Sequence, residues 1–168
     1  MAIVSTAEAG LRAVPRATIL QLRAPGLHTV DLEREASALV GSSTVPVVIS
    51  SRCDLVLACG AAGVNLPEHD ISTRDARTLV GERLVGRSVH SLESARAAEA
   101  EGADYVIFGP VWPSATHPGV DAVGVEALAR VARAVRIPVL AIGGVTEDQI
   151  EECRRAGAAG YAAIGLFE

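Results

Sequence analysis

The chain has 168 residues, 49% of them hydrophobic and 21% charged, with a formal net charge of −5 at pH 7. That content suits a single globular domain over residues 1–168 with a sizeable core, and it excludes a disordered chain. Scattered arginines and 3% aromatic residues exclude a basic, base-stacking surface for nucleic acid. No apolar run approaches the roughly 20 residues that span a bilayer, and Met1 to Gly10 lacks the features of a signal peptide, so a cytoplasmic protein is expected.

Short β-rich runs recur at intervals of very roughly 20 residues along the chain. They are Ala2 to Val4, Thr18 to Leu22, Val45 to Ile49, Gly63 to Leu66, Arg83 to Ser88, Tyr105 to Phe108, Pro138 to Ile142 and Tyr161 to Ile164. Several are continuously apolar, as a parallel sheet covered on its outer face requires. Between them lie helical patterns. Ser51 with Asp54, Ser72 with Asp75 and Thr146 with Gln149 have the spacing of capping boxes, and Gly41, Gly60, Gly81 and Gly157 sit where the helices should stop. Val125, Leu128, Val131, Ala132 and Val135 fall on one helical face, as do Leu92, Ala95 and Ala98.

Eight strand-helix units predict a (β/α)8 TIM barrel, with a doubly wound open sheet as the alternative. The first helix has only Ala7 to Val14, and no residues follow the last strand to form an eighth helix. A partner subunit, in a homodimer, is expected to cover the apolar flank near Leu166 and Phe167. Cys53, Cys59 and Cys153 show no metal-ligand spacing and read as inert thiols.

In a barrel the loops after the strands share one face. Gly143 and Gly144 follow a buried run and precede the helix start at Thr146, where their amides can meet an anion; a plain turn is the other reading. Ile164 and Gly165, at the end of the last strand, would lie beside them. Arg23 and Arg52 end the second and third strands, suited either to a phosphate or to rim salt bridges. Ser88 adds a hydroxyl, and His90 either orients the following helix or does chemistry. Asp70 is the carboxylate best placed for a metal, or else a solvated loop acid. In the loop Gly109-Pro110-Val111-Trp112-Pro113-Ser114-Ala115-Thr116-His117, Ser114 and Thr116 can donate to an anion. His117 can contact phosphate or move a proton.

Several stretches together resemble the superfamily of thiamine phosphate synthase and thiazole tautomerase: Leu20-Gln21-Leu22-Arg23, Val45-Pro46-Val47 through Arg52-Cys53-Asp54-Leu55, Gly86-Arg87-Ser88-Val89-His90-Ser91, Gly102-Ala103-Asp104-Tyr105 through Pro113, and Ile137-Pro138-Val139 through Gly144. The resemblance spans almost the whole chain. It implies a (β/α)8 barrel, usually dimeric. A synthase would join a pyrimidine pyrophosphate to a thiazole phosphate with Mg; a tautomerase would isomerise a thiazole carboxylate phosphate and require no cofactor.

The chain departs from the synthase pattern at Pro25, where a Lys is usual, at Ser50 and Ser51, where an Asn-Asp pair is usual, and at His117, where a Lys is usual. Gly-Arg-Ser-Val-His-Ser and Leu66-Pro67 look closer to the tautomerase branch, whose acid-base His would fall at Pro110. The resulting expectation is a thiamine-biosynthesis protein that binds a thiazole or thiamine phosphate and isomerises a thiazole carboxylate phosphate, with His117 as the catalytic group. The alternatives are a Mg-dependent synthase and a non-catalytic phosphate-ligand binder.

Overall fold

The structure is a computed structural model that describes residues 1–113, 119 and 121–167. Eight strands form one parallel sheet in sequence order: Ala2–Val4 (β1), Leu20–Leu22 (β2), Val47–Ser50 (β3), Gly63–Leu66 (β4), Leu84–Val89 (β5), Tyr105–Phe108 (β6), Val139–Ala141 (β7) and Gly160–Tyr161 (β8). Just beyond β8, Ala163 bridges Ala2 in parallel. Its N–H donates to the Met1 carbonyl at 3.2 Å and its own carbonyl accepts from the Ile3 N–H at 2.9 Å. This closure makes the sheet a (β/α)8 barrel and sets aside the open doubly wound alternative.

Seven α-helices lie between the strands among the described residues: Ala7–Ala13 (α1), Thr29–Ser42 (α2), Cys53–Cys59 (α3), Thr73–Val80 (α4), Leu92–Ala100 (α5), Gly124–Ala134 (α6) and Ile150–Arg155 (α7), the last preceded by a 3-10 turn over Glu147–Gln149. No helix among them is long and apolar enough to cross a membrane.

Successive strand residues face opposite sides of a sheet, and here both sides are buried. Leu20, Leu22, Val64 and Leu66 face outward onto Ala36, Leu39, Val56 and Ala76 of the helices, while Val106 and Phe108 join Leu128 and Val131. The alternate residues Met1, Ile3, Val48, Tyr105 and Ile107 fill the barrel with Ala162. Each such aliphatic side chain stabilises the fold by roughly 1.5–3 kcal/mol on full burial. Gly86 is needed inside the barrel because a Cβ there would strike the ring of Tyr105, its partner across β5 and β6.

Three local expectations change. Ser51 has a left-handed φ of 64°, and Arg52 rather than Ser51 is the N-cap of α3. Asp54, expected to complete a capping box, instead accepts two bonds from Arg52, at 2.8 and 2.6 Å. Gly41 lies inside α2; the helix stops at Ser43, whose N–H bonds the Leu39 carbonyl and whose hydroxyl bonds the Val45 carbonyl. The expected bare flank near Leu166 and Phe167 is covered by the chain itself. Phe167 is buried and stacks on Tyr161 with ring centroids 5.7 Å apart, and Leu166 packs on the same core. The flank therefore gives no argument for a partner subunit.

Candidate active site

A cavity of about 420 Å³ opens where the strands end, at the face on which barrels of this kind carry their sites. Its two sides differ in chemistry. One is built from Gln21 of β2, Ser50 of β3, Asn65 of β4 and Ser88 of β5; the other from Ile3, Ile107, Ile142 and Ala162. Strand alternation produces the polar side, because Gln21 sits between the outward-facing Leu20 and Leu22, and Asn65 between Val64 and Leu66.

The polar side is internally bonded in pairs. The Gln21 side-chain amide donates to Ser50 Oγ at 3.1 Å, and the Asn65 amide to Ser88 Oγ at 3.1 Å. The remaining amide oxygens, Gln21 Oε1 and Asn65 Oδ1, are buried with no hydrogen-bond partner among the described residues, as is the Tyr105 hydroxyl. An unmade bond of this kind costs about 1–3 kcal/mol, so the two amides are poised to take a ligand or water donor. Burial, with the nearby Asp104 charge, pushes the Tyr105 hydroxyl well above its ordinary range, so it stays neutral.

The rim is set by the loops. Arg23 follows β2 and lines the cavity, as do Gly143, Gly144 and Ile164. Gly143 and Gly144 have φ of 92° and 64°, and a Cβ on Gly143 would sit 2.5 Å from Pro110 Cα. Among the described residues no backbone carbonyl accepts from either glycine amide. The pair therefore both makes the turn and leaves donors at the cavity mouth.

Of the other expected site residues, Ser88 lies in the wall, whereas Arg52, Asp70 and Gly165 are not part of it. Arg52 is held by Asp54 in a salt bridge and donates to Thr29 Oγ1 at 3.2 Å. The hydrogen bonds from Arg52, foremost, hold the Asp54 carboxyl below its usual range. Gly165 forms a turn with φ of 80°. Ser114, Thr116 and His117 lie outside the described residues.

Asp70 uses Oδ1 to accept the Ile71 N–H at 2.8 Å, and no group of three or more His, Cys, Asp or Glu side chains that could hold a metal is assembled among the described residues. Ser50 and Ser51 bring no carboxylate to the third loop. Asp70 is the carboxylate at these positions that would hold magnesium, an ion that takes one or two carboxylates together with ligand phosphates and waters.

Sequence reasoning missed Gln21, Ser50, Asn65 and Glu68 as site residues. The signal for two of them was present: a lone amide in an otherwise apolar strand marks an inward position that is not simple core. Glu68 has no such signature, since its partner His90 is on another loop, with Nδ1 at 2.7 Å from Glu68 Oε2.

The barrel thus carries, among its described residues, a polar-apolar cavity with an arginine and a glycine pair at its mouth. A sequence model of the thiamine monophosphate synthase family matches residues 2–167. A thiamine-phosphate synthase of Anaeromyxobacter dehalogenans is 41% identical over 96% of this chain and 73% of its own length. A putative thiamine-phosphate synthase 2 of Aquifex aeolicus is 37% identical over 89% of this chain and 82% of its own length. The solved structure of a thiamine phosphate pyrophosphorylase from Pyrococcus furiosus superposes with a TM-score of 0.89 at 30% identity, covering 97% of this chain and 83% of that one. The chain belongs to the thiamine phosphate synthase family, whose place is in thiamine biosynthesis.

Proposed function

We propose that this chain is a synthase, joining a pyrimidine diphosphate to a thiazole phosphate with release of pyrophosphate, rather than the thiazole tautomerase that the Gly86 to Ser91 run suggested. The relatives named above support this, since both bear the synthase name, the Aquifex aeolicus one as a putative synthase. The observation that carries the reading is the two-sided cavity. Unpartnered amide oxygens on Gln21 and Asn65 suit the amine of an aminopyrimidine, while Ile3, Ile107 and Ile142 suit the faces of flat rings. Arg23 and the Gly143 and Gly144 amides offer donors to phosphate oxygens at the mouth.

The tautomerase reading fares less well at the same cavity. Pro110 lines it at the place of that branch's acid-base histidine, and a proline side chain cannot carry a proton. In the synthase reading the chain binds two heterocycles in one pocket and aligns the thiazole nitrogen with the pyrimidine methylene carbon. That alignment lowers the barrier by making the encounter intramolecular. Held by Asp70, magnesium would neutralise charge on the departing pyrophosphate; no step is routed through it here.

Incubating the purified chain with both substrates tests the proposal. It predicts thiamine phosphate and pyrophosphate in equal amounts; isomerisation of a thiazole carboxylate phosphate without any joining reaction would favour the tautomerase.

A further inference from the structure

His90 lies on the inward line of β5. Leu84 packs in the barrel interior, Gly86 meets Tyr105 there, Ser88 lines the cavity, and two residues on His90 lines it as well. The helix-capping role open to His90 in the sequence is already filled: Ser91 is the N-cap of α5, and it forms a reciprocal capping box with Ser94. His90 is instead clasped by Glu68 from the loop after β4. Glu68 Oε2 lies 2.7 Å from Nδ1, and Glu68 Oε1 accepts the His90 backbone N–H at 3.2 Å. Both residues line the cavity. A carboxylate on Nδ1 fixes the ring so that Nδ1 carries a proton. Nε2 has no partner among the described residues and is left for a ligand.

The charge around the cavity calls for such a group. Arg23 is the one permanent cation in the described wall, and Glu68 is its one carboxylate. Among the described residues, the titratable and charged groups on the elements around His90 are Glu68, which touches the ring, His69 and Asp70 on the loop after β4, Arg23 in the cavity wall, Arg87 on β5 and Glu93 in the first turn of α5. Arg87 is occupied by the carbonyls of Glu68 and Ile71. A departing diphosphate would meet little fixed positive charge there.

We propose that His90 is a catalytic proton donor to the departing diphosphate and that Glu68 is its positioning residue; this rests on the synthase reading. The bond between the pyrimidine methylene carbon and the diphosphate oxygen breaks, and its electron pair leaves with the oxygen. The thiazole nitrogen lone pair forms the new carbon–nitrogen bond. The Nε2 proton of the imidazolium passes to a diphosphate oxygen, and the neutral ring, half exposed, is reprotonated from solvent.

The test compares wild type with His90→Gln, His90→Ala and Glu68→Gln in two assays. In product formation, His90→Gln lowers kcat by about 10²-fold, changes KM less than about threefold, and abolishes the fall of kcat on the alkaline side. Glu68→Gln lowers kcat with KM changed less than about threefold and keeps that fall, and added imidazole restores part of the His90→Ala rate. In calorimetry with inorganic pyrophosphate, performed in buffers of different ionisation enthalpy, the wild type takes up more protons on binding than His90→Gln. A His90→Gln protein with wild-type kcat and alkaline limb overturns the proposal. If the wild type makes no thiamine phosphate, the synthase reading fails and calorimetry alone decides the role of His90: equal proton uptake by wild type and His90→Gln overturns it, and a difference supports it as a donor to bound diphosphate.

Discussion

Asn65 on β4 and Ser88 on β5 are joined by a 3.1 Å hydrogen bond inside the barrel, and the Asn65 amide oxygen is buried without a partner among the described residues. A polar group kept in this condition weakens the empty protein, so replacing it should separate stability from binding. Asn65→Leu is predicted to shift the urea unfolding free energy by no more than about 1 kcal/mol, because the orphaned acceptor disappears along with the bond. Its affinity for the aminopyrimidine substrate is predicted to fall at least about tenfold, near 1.4 kcal/mol. Equal loss of both would mean that Asn65 is simply structural.

The two strand-end arginines should part company. Arg23 lines the cavity, whereas Arg52 is tied to Asp54. Arg23→Ala is predicted to weaken binding of thiazole phosphate by about 10- to 100-fold, the worth of one charged hydrogen bond or slightly more. Arg52→Ala should change it by less than about threefold. Calorimetric titration of both variants measures the contrast, and the reverse order would place the phosphate elsewhere.

Tyr105 and Gly86 form a size-matched pair in the barrel interior. Gly86→Ala drives a methyl into the Tyr105 ring and is predicted to destabilise the fold by about 3 kcal/mol or more. Tyr105→Phe removes a buried hydroxyl that has no partner and is predicted to be neutral or to stabilise by about 1 kcal/mol. Thermal unfolding of the two variants gives the comparison; a marked loss in Tyr105→Phe would show that the hydroxyl has a bound partner in solution.

Burial alone would push the Glu68 carboxyl up, but hydrogen bonds from Ser94 and His90 outweigh it and hold the carboxyl below its ordinary value. A lowered folded-state carboxyl stabilises the protein at pH above the unfolded value, about 4.3, and that contribution is lost as pH falls through the lower folded one. The difference in unfolding free energy between wild type and Glu68→Gln should therefore shrink as pH falls from about 5 to about 3. Because His90 is half exposed, the contribution is about 1 kcal/mol or less. Urea midpoints measured across that range check it, and a constant difference would contradict it.

Much of the barrel could be read from the order of its apolar runs: β1, β4 and β6 occur at the expected residues, and every other strand begins or ends within a few residues of its expected bounds. Periodicity works there because the outer faces of the strands must meet helices. The ends of the last strand were harder, since Ala162 and Ala163 serve two neighbours at the closure and their pattern is that of any buried alanine. The glycine mouth and Ser88 were legible from position alone. The Arg52–Asp54 pair could not be chosen over a ligand contact from strand position, because the competing neighbour sits two residues away. The Glu68–His90 contact joins loops 22 residues apart, and the parallel pairing of β4 with β5 brings them together.

The central claim is that one cavity joins two heterocycles. Its most direct measurement is product formation by the wild-type chain from pyrimidine diphosphate and thiazole phosphate, with Asn65→Leu and Arg23→Ala run beside it. Thiamine phosphate and pyrophosphate formed one-to-one, with both variants at least about tenfold slower at limiting substrate, is the predicted result. No joined product from a folded protein that binds both substrates, or variants as active as wild type, would contradict it.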